Sequence, residues 1–247
     1  RWSELIEMES SGVFDVQSHT MTHTWLFKSD RIIDFVSPGS KYHWLSWNMH
    51  PTRKPNLLEE SGTPSVPLGY PVFENDRALR VRQYFPDEGF VNKLLDTVAD
   101  MGEREFFNNP EWKHRLMGIA EEWKRKGKLS GRYETDSELT NRVRYELMQS
   151  RKTLSEKLQK DVRFLCWPGG ARTPQALEES YSAGYVATTY PSAEKGNNKN
   201  VPGEDSRGIR RIGSCASWRV KGNKHAKVWL GYVYFKASIM AYKGSLI

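Results

Sequence analysis

Apolar residues recur at helical spacing along much of the chain. The spacing over 1–11 predicts a helix, and residues 76–132 are predicted to be mainly helical. The clearest helical pattern covers 134–160, where Thr135 or Asp136 is a suitable N-cap. The sequence therefore predicts long helices in the first and middle parts of the chain.

Four short runs rich in β-forming residues predict strands at 13–18, 162–167, 185–189 and 209–212. A further helix is predicted over 174–183, with Thr173 as its cap and Pro174 at its first position. Strands that alternate with helices in this way favour a parallel α/β core.

Residues 28–75 differ from the rest of the chain because their apolar residues follow neither a helical nor a strand periodicity. They are rich in Pro, Trp, Ser and Asn. Such a composition predicts a long irregular segment, with or without a short hairpin.

The composition narrows the range of partners. The 247 residues include 37 Lys and Arg and 30 Asp and Glu, which gives a net charge of +7. Acidic and basic residues are interspersed, as in 121–126, and this is typical of a solvated mixed surface. No nucleic-acid-binding module accompanies the charge, and no run approaches the roughly 20 apolar residues of a membrane helix. We therefore expect neither a nucleic acid partner nor a transmembrane segment.

The most informative chemistry lies in the motif SHTMTH, residues 18–23, directly after the first predicted strand. His19 and His23 are four residues apart, so at the start of a helix or in a tight loop both imidazoles can face one ion. Neutral imidazole suits Zn²⁺, Co²⁺ or Ni²⁺. The spacing alone leaves open a metal-binding pair or a hydrogen-bonded surface pair.

Two regions together resemble the NodB-type polysaccharide deacetylases, carbohydrate esterase family 4. Residues 2–23 look like the family's second motif region, in which a strand leads into an H-[ST]-x-x-x-H or H-[ST]-x-x-H element. Residues 164–189 look like the family's third motif region. In that region a strand ends in a Pro-containing turn, which is followed by a helix and by a segment similar to AGYVATT. The two regions occur in the family's order.

The resemblance implies a distorted (β/α) barrel that hydrolyses N-acetyl or O-acetyl groups on a polysaccharide with a divalent metal. His19 and His23 would be metal ligands, with Zn²⁺ the first choice and Co²⁺ or Ni²⁺ as alternatives. Gly169 would offer a backbone N–H to the oxyanion, and Trp167 and Pro168 would line the sugar pocket. For Trp167 and Pro168, packing in a core and turn is an equal alternative.

The sequence departs from the family in three motifs. The aspartate pair that supplies a metal ligand and the general base is expected upstream of Arg1, so we expect an N-terminally truncated domain that is inactive by itself. The usual Arg of the third motif is missing, although Arg163 or Arg172 could take its place. The final L-x-H motif is not evident, and His225 has the wrong neighbours for it.

Residues 28–132 have no counterpart in the minimal family pattern. We predict a NodB-like domain made of 1–27 and 133–247, partial at its N-terminus, with 28–132 as an insertion that is first irregular and then helical. Such an insertion would lie over the active site. Six of its residues are candidates for a sugar-stacking wall: His43, Trp44, Trp47, His50, Tyr70 and Phe73. The alternative is that they form the insertion's own core.

Two functions stay open at this point. The first is a deacetylase that acts on an acetylated polysaccharide or oligosaccharide. The second is a non-catalytic glycan-binding protein with a degenerate deacetylase fold, which the departures favour. The sequence does not fix the compartment, and the resemblance favours a periplasmic or secreted location.

Overall fold

The computed structural model describes residues 1–42, 44–49, 66–128, 130–191, 203 and 205–211. The chain divides into two compact units, 1–188 and 189–247. The motif residues between Ser18 and Thr188 all belong to the first unit. Three residues discussed above lie outside the described ones: His43, His50 and His225.

Seven α-helices lie in the described ranges: α1 Trp2–Ser10, α2 Trp44–Met49, α3 Glu88–Ala99, α4 Trp112–Arg125, α5 Asp136–Arg144, α6 Ser150–Leu158 and α7 Pro174–Ser182. Thr135 caps α5 as predicted, because its hydroxyl accepts from the Glu138 N–H and the Glu138 carboxylate accepts from the Thr135 N–H. The helix predicted over 134–160 is one helical run that a π-helical turn, Tyr145–Gln149, divides into α5 and α6. Within the parts that the structure describes, none of the helices has the length and apolar content to cross a bilayer.

The described strands are β1 Trp25–Phe35, β2 Pro71–Arg77, β3 Tyr84–Phe85, β4 Arg132–Tyr133, β5 Phe164–Cys166, β6 Ala187–Pro191 and β7 Gly208–Arg211. They form three small sheets with the orders β1-β2, β3-β4 and β5-β6-β7. The last three strands confirm the predictions at 162–167, 185–189 and 209–212. The described residues form no closed barrel, so the barrel stays a prediction.

The prediction of an irregular segment over 28–75 was wrong for residues 28–35 and 71–75, which belong to the strands β1 and β2. β1 runs antiparallel to β2, with Trp25 opposite Arg77 and Phe35 opposite Pro71. The strand pattern was hidden because the polar residues 28–31 interrupt it and the register shifts between Phe27 and Ile32.

The first unit contains two hydrophobic clusters. The larger one is built only from residues between Phe27 and Leu116, and Phe73 lies fully buried in it. Trp44 and Tyr70 pack against this cluster, so the core alternative holds for these three aromatic residues. The smaller cluster joins Leu79 to Val143, Leu147, Val162, Leu165, Trp167, Ala176 and Tyr185.

Arg142 ties the segment after β2 to α5. Its guanidinium donates to the carbonyl oxygens of Ala78 at 2.8 Å and Val81 at 2.9 Å, and to the Glu134 carboxylate at 2.6 and 2.8 Å. Glu134 is almost fully buried and also accepts from the Gln83 N–H at 2.9 Å. A buried carboxylate needs such a counter-charge and such donors.

Replacing Arg142 with Gln should lower the free energy of unfolding by about 3–5 kcal/mol, because the Glu134 carboxylate would stay buried without its counter-charge. Arg144→Gln is the matched control, since Arg144 pairs with Glu179 from a side chain that is 55% exposed. Exposed pairs contribute little to stability. Urea unfolding followed by circular dichroism measures both variants, and equally small losses would contradict the role given to Arg142.

Candidate functional site

The histidine motif begins beside β5. The Ser18 N–H donates to the Phe164 carbonyl oxygen at 3.2 Å, and the Cys166 N–H donates to the Ser18 carbonyl oxygen at 2.9 Å. Ser18 thereby forms a parallel bridge with Leu165. The strand predicted over 13–18 is reduced to this one bridge, which places the motif at the carboxyl end of β5.

Residues 19–23 form a loop and not the start of a helix. Thr20 and His23 have positive φ angles of 70° and 51°. Residues other than glycine adopt this conformation rarely, and such positions cluster at functional sites. The two histidine rings are therefore brought together by the loop conformation and not by the i, i+4 spacing of a helix.

The rings of His19 and His23 lie side by side on the surface. Their centroids are 4.9 Å apart and their planes are tilted by 45°. Two imidazoles on one tetrahedral zinc, with Zn–N bonds of about 2.0–2.1 Å, have centroids about 5 Å apart. The observed separation therefore fits two ligands of one ion.

The tautomer of His19 is set by the backbone of β5. His19 Nδ1 lies 2.7 Å from the Cys166 carbonyl oxygen. A carbonyl oxygen can only accept, so Nδ1 carries the hydrogen and the neutral ring has its lone pair on Nε2. Metal-binding histidines usually make such a contact through their second nitrogen.

The Glu146 carboxylate, in the π-helical turn Tyr145–Gln149, accepts hydrogen bonds from the loop of residues 19–23. This carboxylate is buried, with 4% of the residue exposed. It accepts from the Met21 N–H at 3.1 Å, from the Thr22 N–H at 2.8 Å and from the Thr22 hydroxyl. Glu146 was not among the predicted site residues, although its position three residues after the inward Val143 places a carboxylate on an apolar helical face.

Ser18 is fixed by a second set of buried polar groups. Its hydroxyl lies 2.8 Å from the Ser150 hydroxyl and 2.8 Å from the Tyr185 hydroxyl, which is also 3.0 Å from the Leu147 carbonyl oxygen. Burial raises the pKa of Tyr185. These contacts fix the start of the motif to α6 and to Tyr185, two residues before β6.

The turn after β5 contains Trp167 and Pro168, which were predicted to line the sugar pocket, and Gly169, the predicted oxyanion donor. Trp167 is fully buried in the smaller cluster, which favours the packing alternative for it. Pro168 is buried and lines a small cavity together with His23 and Glu146. Gly169 is exposed and has a φ angle of 52°. The binding role of Pro168 and the oxyanion role of Gly169 stay predictions.

An arginine does lie at this turn, but it is Arg77 at the end of β2. A Cβ atom on Gly169 would come within 2.0 Å of the Arg77 guanidinium carbon. Arg163, one of the two residues considered from the sequence, is exposed and lies over the Phe164 ring at 6.0 Å. Arg172 is half-buried. Arg77 was missed because it is 92 residues from Gly169 along the chain.

Asp15, the acidic residue closest in sequence before the motif, has a different role. The hydrogen bond from Lys160 holds the pKa of Asp15 below its usual value. Lys160 also donates to Glu9 at 2.5 Å and thereby joins α1 to the end of α6. Among the residues with described positions, no group of three His, Cys, Asp or Glu side chains could hold a metal ion.

Two solved structures are distantly similar to this chain. One is a de-N-acetylase from Aggregatibacter actinomycetemcomitans, with 16% identity and a TM-score of 0.44 over 85% of this chain and 47% of the other. The second is the BpsB deacetylase domain from Bordetella bronchiseptica, with 18% identity and a TM-score of 0.45 over the same shares. The chain thus spans about half the length of each. No family model and no curated protein matches it. Because both TM-scores are low, the family suggested by the motifs stays a prediction.

Replacing Glu146 with Ala should speed hydrogen exchange at the Thr22 amide by about tenfold or more, because a buried N–H loses its acceptor. The Met21 amide should change less, since it also donates to the Glu146 backbone oxygen at 3.1 Å. Glu156→Ala, an exposed carboxylate on α6, is the control. Unchanged exchange at Thr22, measured by NMR, would show that Glu146 does not hold the loop.

Proposed function

We propose that this chain is the histidine-bearing part of a metal-dependent polysaccharide deacetylase. The observation that carries the proposal is the pairing of His19 and His23, with ring centroids 4.9 Å apart and the Nδ1 of His19 on the Cys166 carbonyl oxygen. Two nitrogen donors with this support suit Zn²⁺ best, and Co²⁺ or Ni²⁺ next.

Different residues of this chain have different roles in the proposed reaction. His19 and His23 bind the ion, while Glu146 keeps their loop in place. The Gly169 N–H donates to the oxygen that becomes negative during hydrolysis. A bound metal would supply Lewis acidity and lower the pKa of its water. We place the third ligand and the general base outside the described residues.

The proposed substrate is an N-acetyl or O-acetyl group on a polysaccharide or oligosaccharide. This substrate class follows from the motif resemblance, as does the periplasmic or secreted location, which stays a prediction. The motif resemblance assigns a metal ligand and the general base to an aspartate pair upstream of the histidine motif, so we propose the activity for the full-length protein.

A second function has one observation in its favour. The described residues supply only two of the three protein ligands that catalytic zinc sites use. A glycan-binding protein that has lost the reaction would keep the fold and the histidine loop without the complete ligand set. Metal binding and acetate release distinguish the two functions.

The purified chain, dialysed against Zn²⁺ and analysed for metal, should contain about one ion per molecule, as expected of a site with dedicated imidazole ligands. The double variant His19→Ala/His23→Ala should lose it. His114→Ala, an exposed histidine on α4, is the control and should retain the ion. Equal zinc content in all three proteins would contradict the assignment of these ligands.

In the full-length protein, acetate release from acetylated chitooligosaccharide or poly-N-acetylglucosamine should stop on chelation and in His19→Ala. The physical reason is that the metal activates the attacking water. Activity that survives both treatments would contradict metal-dependent hydrolysis. Oligosaccharide binding without acetate release in any sample would favour the glycan-binding function.

A further inference from the structure

Arg77 has a buried donor for which the described residues offer no acceptor. Its Nε is buried and has no hydrogen-bond partner among the residues that the structure describes. A buried donor without an acceptor costs about 1–3 kcal/mol. In a native protein such an atom calls for a physical explanation, of which a catalytic or binding role is one.

The backbone around Arg77 is firmly held. The Ala78 N–H donates to the Thr24 carbonyl oxygen at 2.9 Å, and the Ala78 carbonyl oxygen accepts from Arg142 at 2.8 Å. The guanidinium carbon lies 5.1 Å from the centre of the Trp25 ring, which is opposite Arg77 in the sheet. These contacts orient the side chain without an acceptor for Nε.

The guanidinium lies where the proposed reaction needs positive charge. It contacts Gly169, because a Cβ atom there would meet Nε at 2.1 Å. Arg77 also lines the small cavity that His23 and Pro168 line. None of the ion pairs between described residues includes Arg77, so its charge is available to an anion.

We propose that Arg77 is a substrate-binding residue, whose Nε–H donates to the acyl oxygen of the substrate and to the carboxylate of the released acid. This inference rests on the proposed function, because the Arg77 Nε–H and the Gly169 N–H would donate to the same acyl oxygen of the substrate. A guanidinium suits this task since it keeps its charge and binds carboxylates through fixed N–H groups.

The test uses acetate as the probe and NMR of the ¹⁵N-labelled chain without metal. Acetate should shift the Arg77 Nε–H and Gly169 amide resonances with saturation. Arg77→Lys should weaken acetate binding by about tenfold or more, since the fixed N–H is lost. Arg80→Lys is the control, because Arg80 is exposed and close in sequence. No shift at Nε–H, or equal affinity in Arg77→Lys, would overturn the proposal.

The same titration in His19→Ala/His23→Ala separates this inference from the proposed function. If the chain fails to bind zinc but acetate still shifts the Arg77 Nε–H, the proposed function fails and the anion site stands. If zinc binds but Arg77→Lys has no effect on acetate, the metal site stands and the role of Arg77 is wrong. Gly169→Ala, whose Cβ needs the space of the guanidinium, should weaken acetate binding as well.

Discussion

The contact between the Glu146 carboxylate and the loop of residues 19–23 supports the rest of the site. The loop lacks the regular hydrogen bonds of a helix, so its N–H groups need acceptors from elsewhere. Glu146 accepts from Met21 and Thr22, and it does so from a buried position. The side chains of His19 and His23 can therefore stay close together although both are exposed.

The site combines residues from elements that contribute to both hydrophobic clusters of the first unit. The histidine loop, Glu146 and the turn at Gly169 lie beside the smaller cluster. Arg77 comes from β2, a strand that contributes Phe73 to the larger cluster. The segment predicted to be an insertion thus reaches the turn after β5 through the end of β2, and three of the residues expected to face a sugar, Trp44, Tyr70 and Phe73, pack inside the segment.

Local pattern was sufficient to predict several helices, the strand before Pro168 and the position of the histidine motif. It failed where the structure depends on contacts between distant residues. β1 was missed because polar residues and a register shift break its alternation. Glu146 lies 124 residues from Thr22, and no spacing rule connects the two. Trp167 was an open choice because the same aromatic side chain can fill a core or line a pocket.

The most direct test of the central claim is the anomalous scattering of zinc in crystals of this chain grown with Zn²⁺. The account predicts a peak about 2.0–2.1 Å from His19 Nε2 and from one ring nitrogen of His23. The contact between His19 Nδ1 and the Cys166 carbonyl oxygen should persist in the same crystals. A zinc peak at other residues, or binding through His19 Nδ1 with loss of that contact, would contradict it.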